Sequence, residues 1–235
     1  MLSLEKMATT KAIVVVHMPI VHDDWVLVKV KASKIPDNLS FEEAATLGVA
    51  IMTVFAKLSG LTVITTCSPH NFDLVKGLGA DAVFDYKSPT CATEIKQLTK
   101  NRLTYAWDCT GDGAAICAQA ISDCEPGTYG TIMPADYELL NTSNPQVYGQ
   151  DFIRGYDTMG ENYYWLGQTP VTPKPEEMQF YQSFLALTRP LLQNGSIKPL
   201  RAAVNKNGSG LESVLKGLEE MEAGNVSGGK LVYTV

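Results

Sequence analysis

The strongest constraint on this chain is a strict alternation of strand and helix that begins at Leu61. Leu61-Thr62-Val63-Ile64-Thr65-Thr66 is a β-branched run and reads as a strand. Residues 69–78 read as a helix, with Phe72, Leu74, Val75 and Leu78 apolar and Gly79 after them. Strands are then expected over residues 81–86, 104–109 and 128–133, separated by helices over 92–98 and 114–122. This alternation defines an α/β fold: a doubly wound parallel sheet covered on both faces.

Outside that block the pattern changes. Residues 11–16 and 25–30 read as strands of a hairpin, with Pro19 and Asp23-Asp24 suiting the turn. Ser40 caps a short helix over 41–47, with Glu42 and Glu43 in its first turn, where the helix dipole favours negative charge. A mostly apolar stretch, 48–58, follows, and Gly60 ends it. After Met133 the regularity lapses, and residues 136–150 are rich in Asn, Ser and Pro. A strand is expected near 152–156, a long loop over 160–175, and a helix over 176–193 that Pro190 kinks or ends. In the last helix Leu211, Val214, Leu215, Leu218 and Met221 share a face, closed by Gly224. A strand over 230–235 finishes the chain.

The formal net charge of −6 argues against nucleic-acid and anionic-membrane partners, which need a basic footprint. No apolar run approaches the roughly 18 residues of a membrane span, so a cytoplasmic protein is expected. Cys67, Cys91, Cys109, Cys117 and Cys124 form no Cys-x-x-Cys pair, and His17, His22 and His70 are scattered. Neither a disulfide framework nor a metal site is expected.

The chemistry concentrates at Thr65-Thr66-Cys67-Ser68-Pro69-His70-Asn71, where a strand hands over to a helix. Ser68 fits the N-cap and Pro69 the first helical position. The N–H groups of His70 and Asn71 are then expected to point outward as an anion site. In dinucleotide-binding folds the end of the second strand meets the adenosine ribose. An acid there suits the 2′-hydroxyl of NAD, whereas a 2′-phosphate needs donors. The turn carries Ser68, His70 and Asn71 and no acid before Asp73, which favours NADP(H); a plain Ser-Pro helix start is the other reading of the same residues. Gly111-Asp112-Gly113-Ala114-Ala115-Ile116 imitates a phosphate loop, but its third glycine is Ile116 and it lies two strands too late.

Ser68-Pro69-His70-Asn71-Phe72-Asp73-Leu74, then Gly79-Ala80 and Val83-Phe84-Asp85-Tyr86, closely resembles the fungal trans-acting enoyl reductases of polyketide biosynthesis. These belong to the zinc-free branch of the medium-chain dehydrogenase/reductase family. Leu39-Ser40-Phe41-Glu42-Glu43-Ala44-Ala45 and Ser227-Gly228-Gly229-Lys230-Leu231-Val232 share the resemblance. It implies a Rossmann-type domain over 48–160. It also implies remnants of a β-rich, GroES-like substrate domain over 1–47, completed by 161–235.

The resemblance further implies that Ser68, Pro69, His70, Asn71 and Tyr86 contact the adenosine end of NADPH. Ile132 and Met133 line the nicotinamide side, and Gly228 and Gly229 pass close to the cofactor. Gly48, Val49, Ala50, Ile51, Met52, Thr53, Val54 and Phe55 border the acyl substrate, as do Gly155, Tyr156, Asp157, Thr158 and Met159. For both substrate stretches plain packing stays open. The implied reaction is NADPH-dependent reduction of an α,β-unsaturated acyl thioester held on the carrier protein of a polyketide synthase. No proton donor is identified.

The chain also departs from the pattern. Val54-Phe55 runs straight into Ala56-Lys57-Leu58-Ser59-Gly60, so the last turn of the first helix is present without the strand and glycine-rich loop that should precede it. A second gap falls between Ala32 and Ser33. The first strand is central in a doubly wound sheet, so its neighbours are expected to be left unpaired or re-paired. Activity impaired by these missing segments is one expectation. A different zinc-free quinone or alkenal reductase, and a non-catalytic remnant that binds the synthase, are the alternatives.

Overall fold

The computed structural model describes residues 12–22, 25–46, 56–152, 154–165 and 168–235. The chain divides into two compact units: Met1–Leu61 with Met178–Val235, and Thr62–Glu177.

In the first unit, β1 (Ala12–His22) pairs antiparallel with β2 (Trp25–Lys34), and the register shifts between His17 and Pro19. The strands run longer than their sequence cores, and β1 continues through Pro19 at that irregularity, where a missing N–H is tolerated. The helix α1 (Phe41–Ala44) opens with a reciprocal capping box. Glu43 N–H donates to Ser40 Oγ at 3.1 Å, and Ser40 N–H donates to Glu43 Oε2 at 2.9 Å. Ile35, Leu39 and Ala44 pack with Leu192 and Ile197 into one buried cluster.

The second unit carries the parallel strands. β3 (Ile64–Thr66) pairs with β4 (Ala82–Phe84). A 3-10 turn, Pro69–Asn71, and α2 (Phe72–Gly77) connect them. α3 (Cys91–Leu98) leads to β5 (Tyr105–Asp108), and α4 (Ala114–Ala120) leads to β6 (Gly127–Thr131). α5 (Tyr137–Ser143) then leads to β7 (Val147–Phe152). β5, β6 and β7 form a parallel three-stranded sheet, separate from the β3–β4 pair.

That division has a direct reading. A doubly wound sheet has the strand order 3-2-1-4-5-6. Without a first strand, the second and third would remain as one piece and the fourth, fifth and sixth as another. β3–β4 and β5–β6–β7 are those two pieces. Among the described residues the two pieces have no ladder to each other.

One helical layer serves both pieces. Cys91, Ala92 and Ile95 of α3 and Ala120 of α4 are buried together, with Ile64, Phe84, Leu103 and Ile116 packed against them. A second cluster, including Ala114, Ala118, Ile121, Tyr129, Leu140 and Val147, covers one face of β5–β6–β7. Asn144 locks α4 to β7. Its Nδ2 donates to the carbonyls of Ala118, Ile121 and Ser122 at 3.0, 3.2 and 3.2 Å, and its Oδ1 accepts from Gln146 N–H at 3.0 Å.

Several elements correct the sequence expectations. The irregular stretch 136–150 holds α5 and most of β7, and the strand expected near 152–156 ends at Phe152. Residues 155–159 form a 3-10 turn instead. The expected loop over 160–175 contains the hairpin β8 (Tyr163–Trp165) and β9 (Thr169–Val171). The helix α6 (Pro175–Gln193) continues through Pro190 for a further turn. β10 (Ala202–Val204) pairs parallel with β11 (Lys230–Val232). In α7 (Leu211–Glu222) the apolar stripe Leu211, Leu215, Leu218 and Met221 is exposed, while Ser213 and Gly217 are buried.

Candidate cofactor site

In an open α/β sheet, ligands bind beyond the carboxyl ends of the strands. Four of those ends carry sequence-marked residues here. Ser68 to Asn71 follow β3, Tyr86 follows β4, the Gly111–Gly113 loop follows β5, and Ile132 with Met133 follows β6.

Ser68 occupies the N-cap position with extended backbone, yet its side chain makes no capping bond. Pro69 takes the first helical position, which lowers the demand for a side-chain acceptor there. The Ser68 hydroxyl instead faces Tyr86, with Oγ and the phenol oxygen 3.4 Å apart. Tyr86 is 43% exposed, and Lys87 Nζ stands 5.8 Å from the centre of its ring. Lys87 N–H donates to Asp85 Oδ1 at 2.9 Å, so a carboxylate also stands beside this cluster. Two hydroxyls and a cation thus meet at the turn. Lys87 was not singled out in the sequence, because nothing in its spacing ties it to Ser68; the β3–β4 ladder does.

One expectation fails at this turn. The Asn71 N–H is not directed outward: it donates to Ser68 O at 2.9 Å, closing the 3-10 turn. A 3-10 turn bonds residue i+3 to residue i, so it consumes an N–H that an α-helical first turn would leave open.

The loop after β5 explains its own glycines. Asp108 is buried and its carboxylate accepts five hydrogen bonds. Oδ1 takes Thr110 N–H, Thr110 Oγ1–H and Gly111 N–H at 2.8, 3.0 and 3.0 Å. Oδ2 takes Gly113 N–H and the Tyr129 hydroxyl at 2.9 and 2.8 Å. Burial pushes the Asp108 carboxyl up, and these hydrogen bonds outweigh it and hold the group below the usual carboxylate range. A Cβ on Gly113 would lie 3.0 Å from the Asp108 carboxyl carbon, and Gly111 has φ +83° with its Cβ direction against Pro134 O. The loop amides that imitate a phosphate cradle already hold an internal anion.

After β6, Thr131 Oγ1 donates to Met133 O at 2.8 Å and accepts from Met133 N–H at 3.1 Å. This leaves Met133 exposed and Ile132 half-buried at the strand end. Among residues 155–159, Met159 is buried, and Asp157 accepts from Tyr163 OH at 2.7 Å and from Arg154 Nε at 3.3 Å. Tyr156 packs near Tyr163 and Trp165, with ring centres 5.7 and 6.3 Å away. Gly228 and Gly229 belong to the other unit. Gly228 has φ +65°, and a Cβ on Gly229 would meet Arg201 O at 2.7 Å, so close approach of β11 to β10 accounts for the second glycine. Residues 48–55 lie outside the described residues.

The donor set fits the adenosine end of a phosphorylated dinucleotide: Ser68, Tyr86 and Lys87 offer hydroxyls, an aromatic face and a positive charge. It does not fit the pyrophosphate, because the loop after β5 is committed to Asp108 and no glycine-rich turn precedes Ala56. Among the described residues no group of three or more His, Cys, Asp or Glu is placed to hold a metal ion. No described helix is long and apolar enough to cross a membrane.

Parallel strands covered by helices, with the marked residues beyond their carboxyl ends, define an α/β unit of the dinucleotide-binding type. Residues 47–133 match the zinc-binding dehydrogenase family. The chain is 35% identical over 253 residues to the trans-enoyl reductase fsa3 of Fusarium sp. (strain FN080326), an alignment covering 90% of this chain and 69% of that protein. Among solved structures, the CurK enoyl reductase superposes with a TM-score of 0.64 at 17% identity, covering 92% of this chain and 70% of that one. A mycobacterial protein solved in complex with NADPH superposes with a TM-score of 0.56 at 19% identity, covering 82% and 65%. The chain belongs to the trans-enoyl reductase family of fungal polyketide biosynthesis.

Proposed function

We propose that this chain is a trans-acting enoyl reductase that takes NADPH, not NADH, and acts on an α,β-unsaturated acyl thioester carried by a polyketide synthase carrier protein. NADPH, when bound, supplies the hydride for the β-carbon of the acyl chain. Residues 48–160 form the NADP-binding part, and 1–47 with 161–235 form the substrate-domain part. Ser68, Pro69, His70, Asn71 and Tyr86 hold the adenosine end, and Ile132 and Met133 border the nicotinamide. Gly228 and Gly229 approach the cofactor. Residues 48–55 and 155–159 border the acyl chain. The protein works in the cytoplasm beside the synthase.

The observation that carries the cofactor choice is the Ser68 hydroxyl, free of capping duty and 3.4 Å from Tyr86 OH. The turn offers donors and carries no acid before Asp73, with Lys87 at hand, and that supports a 2′-phosphate.

The same reading includes an impaired affinity. A glycine-rich loop normally gives the pyrophosphate two or three charge-assisted hydrogen bonds, each contributing about 1.5–3 kcal/mol. Losing two weakens binding on the order of a hundredfold or more. Calorimetry with NADPH, together with NADPH oxidation on free and carrier-bound enoyl thioesters, tests both parts. Slow turnover with weak NADPH binding and still weaker NADH binding is expected. Micromolar or tighter NADPH binding overturns the impairment. Synthase binding without turnover of any enoyl thioester replaces the reductase by a non-catalytic partner of the synthase.

A further inference from the structure

The geometry points to Lys87 as the residue that selects NADPH over NADH, by carrying the positive charge that meets the 2′-phosphate. This rests on the cofactor reading above and adds to it a residue that the family resemblance leaves out. A phosphate monoester brings a charge of about −1.5 to −2 at neutral pH. The hydroxyls of Ser68 and Tyr86 offer it hydrogen bonds but no charge.

The strand ladder sets the placement. The β3–β4 register pairs Thr66 with Phe84, and Cys67 N–H extends it by donating to Phe84 O at 3.0 Å. Ser68 and Tyr86 each stand two residues beyond that pair, and their oxygens come within 3.4 Å. The chain then turns. Ser88 N–H donates to Asp85 O at 3.0 Å, and Lys87 N–H donates to Asp85 Oδ1 at 2.9 Å. These two bonds fix the backbone of Lys87 at the same strand end. Its side chain folds back over Tyr86, with Nζ 5.8 Å from the ring centre. Both residues are exposed, so this cation–π contact holds the ammonium only weakly. Among the described residues Lys96, Arg154 and Lys206 are each held in an ion pair, and Lys87 belongs to none of these pairs. A lysine binds phosphate as a point charge on a flexible stem, which suits an ammonium resting beside two hydroxyls. Ser68, Asp85, Tyr86 and Lys87 all lie within the unit Thr62–Glu177.

Asp85 makes the positive charge necessary. Its carboxylate anchors the turn and also lies near Cys67, whose thiol is pushed up by burial first and by Asp85 second. An anionic ligand at this strand end meets a fixed negative charge, which hydroxyls do not offset and Lys87 does. Without Lys87 the turn would hold a carboxylate and two hydroxyls, a set suited to the free 2′-hydroxyl of NADH. One side chain thus separates the two cofactor preferences.

Adenosine 2′,5′-bisphosphate and 5′-AMP test this, because they differ only in the 2′-phosphate and need no complete pyrophosphate site. Calorimetry on the full chain, at ligand concentrations up to millimolar, should show the bisphosphate binding about tenfold tighter, the lower end for a charge-assisted hydrogen bond. Lys87→Met should weaken the bisphosphate by about tenfold and leave 5′-AMP within about twofold. Lys76→Met removes an exposed lysine of α2 and should leave both affinities unchanged. Matching far-UV circular dichroism shows that each variant is folded. A Lys87→Met chain that keeps the wild-type preference, or an equal loss in Lys76→Met, overturns the assignment to Lys87 and leaves the NADPH reading standing. A wild-type chain that binds both nucleotides alike, or neither, overturns the NADPH reading and the assignment with it.

Discussion

Asp108→Asn isolates the internal anion of the second unit. The side chain keeps its shape and burial but replaces one carboxylate oxygen by an NH2 that cannot accept. The less damaging orientation keeps an oxygen for Thr110 and Gly111 and places the NH2 toward Gly113 and Tyr129. The Tyr129 hydroxyl can turn and accept from that NH2. The Gly113 N–H cannot, and it becomes a buried donor without an acceptor, costing about 1–3 kcal/mol. The remaining bonds lose their charge assistance. The sum is about 2–4 kcal/mol of destabilisation. Urea unfolding, followed by far-UV circular dichroism and by tryptophan fluorescence, measures it once the two probes coincide. Asp112→Asn, on an exposed neighbour, should stay within about 0.5 kcal/mol.

The pH dependence gives a second check. The Asp108 carboxyl is held below its ordinary value in the folded chain. Its stabilising contribution is thus fully present above the unfolded value of about 3.9 and is lost as pH falls through the lower folded value. The gap between wild type and Asp108→Asn should be flat at neutral pH and narrow only below about pH 4. A loss under about 0.5 kcal/mol at pH 7, or a gap that narrows near pH 6, would refute the hydrogen-bond account.

Other residues give sharper local tests. Asn144→Ala removes the amide that bonds three carbonyls at the end of α4 and should cost about 2–4 kcal/mol in urea unfolding. Gly217→Ala sets a methyl against the Tyr233 ring and hydroxyl. It should destabilise by about 1–2 kcal/mol despite the better helix propensity of alanine. Tyr233→Phe removes a buried hydroxyl with no partner among the described residues. It should be neutral or slightly stabilising alone and should recover part of the Gly217→Ala loss, a coupling read from a double-mutant cycle. Leu215→Glu falls on the exposed stripe of α7 and should move the urea midpoint by less than about 0.5 kcal/mol equivalent.

The parts of the fold legible in the sequence are those whose signal is local. The β-branched run before Ser68, the Ser-Pro start and the strand–helix alternation to Met133 all depend on neighbours in the chain. α5 and β7 escaped because their composition is polar and their support is distant: Asn144 matters through Ala118, Ile121 and Ser122, more than twenty residues away. Helical periodicity showed that Leu211, Leu215, Leu218 and Met221 share a face, but periodicity does not say which face meets a partner. Packing of Gly217 on Tyr233 decides that, and it turns the leucines outward. At the candidate site, the Ser-Pro-His-Asn turn was readable, whereas Lys87 became visible only through the β3–β4 ladder, and the Asp108 network only through the loop that folds back onto its own carboxylate and the Tyr129 hydroxyl from β6.

The missing strand and the missing phosphate loop are one absence in the sequence, but they are two different deficits in the protein. A strand supplies backbone pairing and apolar cover. A phosphate loop supplies unpaired N–H groups at a glycine turn. Val54-Phe55 runs into Ala56-Lys57-Leu58-Ser59-Gly60 with no glycine-rich turn before them, so stabilising the fold does not restore the pyrophosphate contacts. An excluded osmolyte such as sucrose should therefore raise the unfolding midpoint and leave the NADPH dissociation constant within a few-fold of its value in buffer. A dissociation constant that tightens tenfold or more, equivalent to about 1.4 kcal/mol, would show that weak folding, not the absent loop, limits binding.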